Sequence, residues 1–231
     1  PASFPLNCSS VFSTGTGCQL VLQYNPTTNI SNSNLSFNYI LLGTVGACLY
    51  LLGVGHLYIM TGSLNMADLM NLLTPLYGTY VVTVAFLLIL TGAWTKMAFF
   101  PLHGWLPNAY SYAPFASTAL VAPLVTKAAI YLMIRFMFSV FTPHFVLERL
   151  DISSAVVWMS AAAVAAGSLL ALGQRDFRRM LTYLIVAEVG YMVGGVWLLN
   201  RSGLTGAVLH IANDAAMMLC LFLAAGAVFY K

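Results

Sequence analysis

The sequence predicts an all-α polytopic membrane protein with about six transmembrane helices. Three observations predict it: charge is nearly absent, six apolar runs are long enough to cross a bilayer, and arginines gather in one short connection. Charged residues make up 6% of the 231-residue chain and apolar residues 60%, whereas soluble domains carry about 25% charged residues. No charged side chain occurs from Pro1 to Ala67 or from Leu69 to Thr95. A soluble domain has no means of covering its surface with so few charges, while lipid solvates apolar side chains directly. The net charge of +3 is small and scattered over loops and isolated points in the apolar runs, which argues against a nucleic-acid surface.

Residues 1–37 read as a polar, mostly irregular N-terminal extension, rich in Ser, Thr and Asn and without helical period. The chain opens on Pro1 rather than Met, which points to processing, truncation or a piece of a longer protein. Residues 38–231 read as one transmembrane domain. Its spans lie near Asn38–Met60, Tyr77–Met97, Ala116–Val140, Ile152–Leu172, Met180–Leu199 and Leu204–Tyr230, each able to cross about 30 Å of hydrocarbon. Turn-forming residues separate them: Gly62, Asn65 and Pro75; then Pro101, Pro107 and Pro114; then Pro143. The fourth connection holds Arg175, Asp176, Arg178 and Arg179, so it should face the cytoplasm or matrix. Counting spans places Phe37 and Lys231 on that side too. Gly43, Gly46, Gly53 and Gly55 in the first span, and Ala161, Ala163, Ala165 and Gly167 in the fourth, suit close helix packing. Cys48 and Cys220, inside apolar runs, read as small core residues. No CxxC or Cys/His cluster suggests a metal, and no nucleophile elbow or phosphate loop appears, so a soluble-type active site has no support.

Ionisable groups inside a membrane are costly and mark function. Lys96, Lys127, Glu188 and Asp214 qualify, and His56 and His210 also fall within spans. Lys96 ends the second span, where a lysine can snorkel to the interface. Pro101 just beyond it breaks the helix and frees carbonyls, a recurring way to build an ion site. Lys127 lies about eleven residues from either end of its run, roughly 16 Å by helical rise, too deep to snorkel. Pro123 precedes it by one turn. Glu188 is central in its span. Burial raises the pKa of a carboxylate and lowers that of a lysine, moving both toward the range where protons exchange usefully. A Lys–Glu–Lys series with bridging waters would pass protons laterally; the competing reading is a static buried salt bridge. His210 and Asp214 stand at i,i+4 on one helix face, as a relay or as a satisfied polar pair. His56, among Gly and Leu, reads as a satisfied core histidine.

The run Thr95-Lys96-Met97-Ala98-Phe99-Phe100-Pro101-Leu102-His103-Gly104-Trp105-Leu106-Pro107-Asn108-Ala109 resembles the signature of the antiporter-like subunits of respiratory complex I, membrane-bound hydrogenases and multisubunit sodium/proton antiporters. Ser117–Arg135 resembles the family's next span, with Lys127 at its lysine. Asp176–Tyr183 and Gly190-Tyr191-Met192 resemble its D-x-K/R-R-x-L-A-Y…G-Y-M pattern, and Leu221–Ala227 its L-F-L-x-x-G pattern. The likeness runs from about Tyr39 to the end. It implies the central part of a fold of about fourteen helices, with a helix broken near Lys96–Pro101. It also implies a proton path in which Lys96 is the first lysine and Lys127 the second, with Pro101, His103, Trp105 and Pro107 forming the break. Four departures stand out. The family's partner glutamate lies upstream of this chain; Asp214 and Met218 stand where relatives have a His/Lys pair; Glu188 is often glutamine; and six spans are present here.

The function implied is a proton-translocating subunit of a complex I-type NADH:quinone oxidoreductase in an energy-transducing inner membrane. Alternatives are a subunit of a multisubunit sodium/proton antiporter, or a structural membrane subunit that has lost conduction. No cofactor is expected on this chain itself; NADH, flavin, iron–sulfur clusters and quinone belong elsewhere in such a complex. The expected partners are other membrane subunits, including chains that supply missing spans, together with lipids and protons or sodium.

Overall fold

The structure, a computed structural model, describes residues 29–113 and 115–229. Nine helical elements follow one another there: α1 Asn29–Thr61, α2 Met66–Leu73, α3 Tyr80–Met97, α4 Trp105–Tyr112, α5 Phe115–Ser139, α6 Thr142–His144, α7 Ser153–Leu172, α8 Phe177–Trp197 and α9 Arg201–Phe229. A one-turn 3-10 helix, Thr74–Leu76, follows α2, and a π-helical turn, Phe145–Leu150, follows α6. Six helices are long and apolar enough to cross a membrane: Tyr39–Thr61, Tyr80–Met97, Ser117–Ser139, Ser153–Leu172, Phe177–Trp197 and Arg201–Val228. Those are the six spans expected from the sequence.

The largest difference in a boundary lies at the start of the first span. The helix of the first span begins at Asn29, inside the stretch read as irregular. Asn and Ser are weak helix formers, but an apolar span already supplies the nucleus, and adding residues to an existing helix is far easier than starting one. Residues 1–28, with Cys8 and Cys18, lie outside the described part.

The spans pack as a row: α1 on α3, α3 on α5, α5 on α9, α9 on α8, and α8 on α7. Chain order and spatial order therefore part company after α5, because α9 inserts between α5 and α8. Glycines permit close backbone approach at α1–α3 and at α7–α8. A Cβ on Gly92 of α3 would lie 2.7 Å from the Gly46 carbonyl oxygen of α1, and one on Gly167 of α7 would lie 2.8 Å from the Ala187 nitrogen of α8. Gly55 does no such work, since a Cβ there would meet nothing within 4 Å. Cys48 and Cys220 are exposed on the outside of the bundle, which corrects their reading as core residues. In a membrane span an apolar neighbourhood does not imply an interior position, because lipid accepts outward-facing apolar side chains equally well. His56 is half-buried, and its Nδ1 donates to the Leu52 carbonyl at 2.7 Å, a locally satisfied histidine.

Candidate functional site

The helix break after Lys96 is built from backbone geometry and aromatic packing. Ala98 closes α3 in the left-handed conformation at φ 56°, with its N–H turned back on the Thr95 and Trp94 carbonyls, the usual way a helix ends. Residues 98–104 then run as turns through a cis Phe100–Pro101 bond. Trp105 is buried and its Nε1 donates to the Thr95 carbonyl at 2.9 Å, pinning the start of α4 to the end of α3. Pro107 sits in the first turn of α4, where a missing N–H has no helical partner to lose. The His103 ring stacks on Phe100 at 5.3 Å and meets the edge of Tyr183 on α8 at 6.4 Å. Burial holds His103 below the ordinary histidine range, against a weaker opposing effect of the Pro101 carbonyl.

Arg178 and Arg179 contribute more than membrane orientation. Arg178 Nη1 donates to the Ser111 and Ala113 carbonyls, each at 3.5 Å, and Arg179 Nη2 donates to Asn108 Oδ1 at 3.5 Å. They fasten α4 and the residue that follows it to the start of α8. Their sequence signal, charge in a short loop, carried no hint of these acceptors.

Lys96 is exposed. It lines an open cleft of about 210 Å³ with Tyr39, Gly43, Thr44, Thr95, Trp105 and Val125, between α1, α3 and α5. It makes no ion pair with any described residue.

Lys127 is in the opposite situation. Its side chain is buried, and Nζ lies 2.7 Å from Asp214 Oδ2 on α9; the two side chains are 5% and 0% exposed. Glu188 of α8 lies within hydrogen-bonding reach of Asp214 and feels the Lys127 charge. All three are deep in their spans, the shortest separation from an end being from Glu188 to Trp197, about 13 Å at 1.5 Å per residue. The packing row explains the meeting: α9 between α5 and α8 presents Asp214 to both. Pro123, inside α5, removes the N–H that would bond the Ala119 carbonyl one turn before Lys127. The ion-pair distance is short, but its angles are not those of an aligned hydrogen bond. Lys127 Nζ, both Asp214 carboxyl oxygens and Glu188 Oε2 are buried without an aligned partner among the described residues.

The structure thus brings Lys127, Glu188 and Asp214 together and leaves Lys96 apart. His210 and Asp214 share a helix but do not bond: His210 Nε2 has no hydrogen-bond partner among the described residues, and its ring meets the edge of Tyr191 at 6.2 Å. The i,i+4 spacing aligned the two residues, but Asp214 turns into the bundle while His210 lies half-buried at its margin. Asp214 was among the sequence candidates, but its role as the counter-ion of Lys127 was not foreseen. The available signal was a lone mid-span carboxylate and a lone mid-span lysine, each without a partner on its own helix. One turn beyond Asp214, Met218 is fully buried.

Comparison with known proteins gives these features a context. The family described as NADH:quinone oxidoreductase/Mrp antiporter, transmembrane part, matches residues 13–231. The chain is 46% identical over 200 residues to the N subunit of the NADH-quinone oxidoreductase of Desulforudis audaxviator, covering 85% of this chain and 39% of that protein. It is 34% identical over 192 residues to the D subunit of the Na(+)/H(+) antiporter of Alkalihalophilus pseudofirmus, covering 83% and 38%. The chain therefore spans about two fifths of the length of these relatives. Among solved structures, the Mrp complex from Dietzia sp. DQ12-45-1b matches with a TM-score of 0.77 at 30% identity, over 86% of this chain and 36% of that one. The archaeal membrane-bound sulfane sulfur reductase matches at 0.75 and 30%, over 89% and 41%.

Proposed function

The chain belongs to the NADH:quinone oxidoreductase/Mrp antiporter transmembrane family, and from that premise we propose that it is a proton-translocating, antiporter-like subunit of a complex I-type NADH:quinone oxidoreductase. The observation that carries the proposal is the mid-membrane centre Lys127–Asp214–Glu188. Ionisable side chains at such depth cost several kcal/mol each unless they are paired, or exchange protons with neighbours. A structural subunit that had lost conduction would gain nothing by keeping three of them. In the proposed path, Lys127 is a proton carrier at the centre, Lys96 is its neighbour on the α1–α3 side, and Glu188, His210 and Asp214 continue the path through α8 and α9. Pro101, His103, Trp105 and Pro107 hold the helix break beside Lys96. The redox cofactors and quinone belong to other subunits. Partner membrane chains complete the open Lys96 cleft, and the assembly resides in an energy-transducing inner membrane with Gly173–Arg179 facing the cytoplasm or matrix.

A second reading, a cation/proton antiporter subunit without a redox partner, is supported by the 34% identity to the Na(+)/H(+) antiporter protein and the 30% likeness to the Mrp complex. The higher identity to the NADH-quinone oxidoreductase protein favours the first. Co-purification with flavin and iron–sulfur proteins separates them. The proton-carrier role is tested in sealed membrane vesicles. Lys127→Ala should abolish or strongly reduce proton pumping, and Lys127→Arg should also impair it, because arginine keeps its proton at any accessible pH. Normal pumping by Lys127→Arg would make Lys127 a packing cation and defeat the proposal.

A further inference from the structure

The Lys127 centre contains one ammonium and two carboxyl groups. Asp214 is fully buried, with neither oxygen meeting an aligned donor, and Glu188 Oε2 is likewise buried without one. Yet Glu188 and Asp214 are within hydrogen-bonding reach of each other. Ionised carboxylates only accept, so two of them bond one another only when one is protonated. Charge counting points the same way. With every group ionised, the centre holds one positive and two negative charges in a low-dielectric interior, leaving one negative charge uncompensated. Among the described residues, no second cation forms an ion pair with the centre. On α9, His210 stands one turn from Asp214 but turns to Tyr191. On α5, Tyr131 and Arg135 are exposed. The other ionisable residues of α8 are Arg178 and Arg179 at its start and Tyr183 and Tyr191, and Arg178 and Arg179 are directed to α4. The buried residues that α7 presents to α8 are Ser160, Ala163 and Gly167, without charge.

We infer that Glu188 and Asp214 share one resident proton, which makes the Lys127 centre an electrically neutral store of two protons. This deepens the proton-translocating reading and rests on it for the direction of use. In one arrangement Lys127 is an ammonium, Asp214 a carboxylate and Glu188 a carboxylic acid. When the Lys127 N–H bond breaks and the proton joins an Asp214 oxygen, lysine becomes a neutral amine and Asp214 a carboxylic acid. Both arrangements hold two protons and no net charge. A proton therefore passes along Glu188, Asp214 and Lys127 without an isolated charge ever forming in the membrane interior. Asp214, between the two, is the exchanging group, and Lys127 and Glu188 are its two outlets.

The test is infrared spectroscopy of the full protein in its native membranes at neutral pH, read as wild-type minus variant difference spectra. Glu188→Gln and Asp214→Asn should each lose one protonated-carboxyl C=O band that is sensitive to deuterium exchange. The second loses it because Glu188 then ionises against Lys127. Absence of that band from both difference spectra means that both carboxyls are ionised, and overturns the inference. Spectra in sodium and in potassium buffer should be identical; a band that appears only without sodium makes sodium the balancing cation and equally overturns it. The band reports protonation and not pumping, so it remains readable even if Lys127→Arg pumps normally and the transport reading fails.

Discussion

Two lysines one helix apart in the packing row live in opposite environments. Lys127 is closed in by α5, α8 and α9 and meets a carboxylate at 2.7 Å. Lys96 borders an open cleft between α1, α3 and α5 and finds no acidic side chain among the described residues. Both follow the same local recipe of an apolar helix, a lysine and a nearby proline. What separates them is tertiary. The chain returns through α9 to supply the partner of Lys127, and the described residues supply none for Lys96. The α5–α8–α9 side therefore holds an ion pair within this chain, whereas the α1–α3 side has packing contacts but no ion pair among the described residues.

The sharpest way to break this comparison is to remove the partner. Asp214→Asn leaves Lys127 buried without its counter-ion. Removing one member of a buried pair destabilises by about 3–5 kcal/mol, here toward the lower end because Glu188 provides a second carboxylate. The expected outcome is a lower thermal midpoint and less assembled protein in membranes. The double variant Lys127→Leu/Asp214→Leu should recover that stability without recovering pumping. If Asp214→Asn is no less stable than a Lys96 variant, the two sites do not differ as argued.

The packing half of the comparison is tested at Gly92. An added methyl would approach the Gly46 oxygen at 2.7 Å and the Tyr50 nitrogen at 2.8 Å, both backbone atoms that cannot swing aside. Gly92→Ala should force α1 and α3 apart and cost about 1–3 kcal/mol, as overpacking does. Gly55→Ala, facing open space, should be neutral or slightly stabilising by helix propensity. Equal effects at the two positions, measured as thermal midpoints side by side, would remove the glycine contact as the determinant of α1–α3 packing.

How much of this was legible beforehand follows from the same physics. The spans were legible because the bilayer imposes length and hydropathy on each helix separately. The helix break at Pro101 was legible because proline acts on its own backbone. The depth of Lys127 was legible by counting. The union of Lys127 with Asp214 was not, since it depends on α9 inserting between α5 and α8, a long-range fact that no local period records. The pairing of His210 with Asp214 was suggested by spacing, yet i,i+4 alignment fixes only a shared direction on one helix and not which residue the neighbouring helices enclose. The placement of Cys48 and Cys220 failed for a related reason: hydropathy separates membrane from water, but not protein interior from lipid.

A smaller effect is expected at Lys96. Its ammonium is exposed and unpaired with any described residue, so Lys96→Ala should change the stability of the chain by less than about 1 kcal/mol. If the cleft is completed by an acidic group of a partner chain, the variant should nonetheless lose proton pumping and weaken association with that partner. The pair of readouts sharpens the comparison: Asp214→Asn should impair the chain itself, and Lys96→Ala should impair only its engagement with others. A Lys96→Ala chain that is as unstable as Asp214→Asn would show that the cleft is closed within this chain.

The smallest expected effect concerns the connection that joins the two regions. His103 follows Lys96 by less than two turns and packs across to Tyr183 of α8, so it links the open side to the closed one. Burial lowers its pKa, favouring the neutral ring in the folded protein. The sign follows: unfolded histidine takes up a proton near its ordinary value, about 6.5, and the folded protein takes it up only at lower pH. The stabilisation from neutral His103 is therefore fully present above that ordinary value and is lost as pH falls through the lowered folded value. The loss should be small, because the ring is only half-buried and solvent screens it. Thermal midpoints recorded from neutral to mildly acidic pH should fall slightly more for wild type than for His103→Gln, which has no ring proton to gain. Parallel curves would mean that the connection does not sense His103 protonation, and that the two regions are joined by helix packing and by the Arg178 and Arg179 contacts instead.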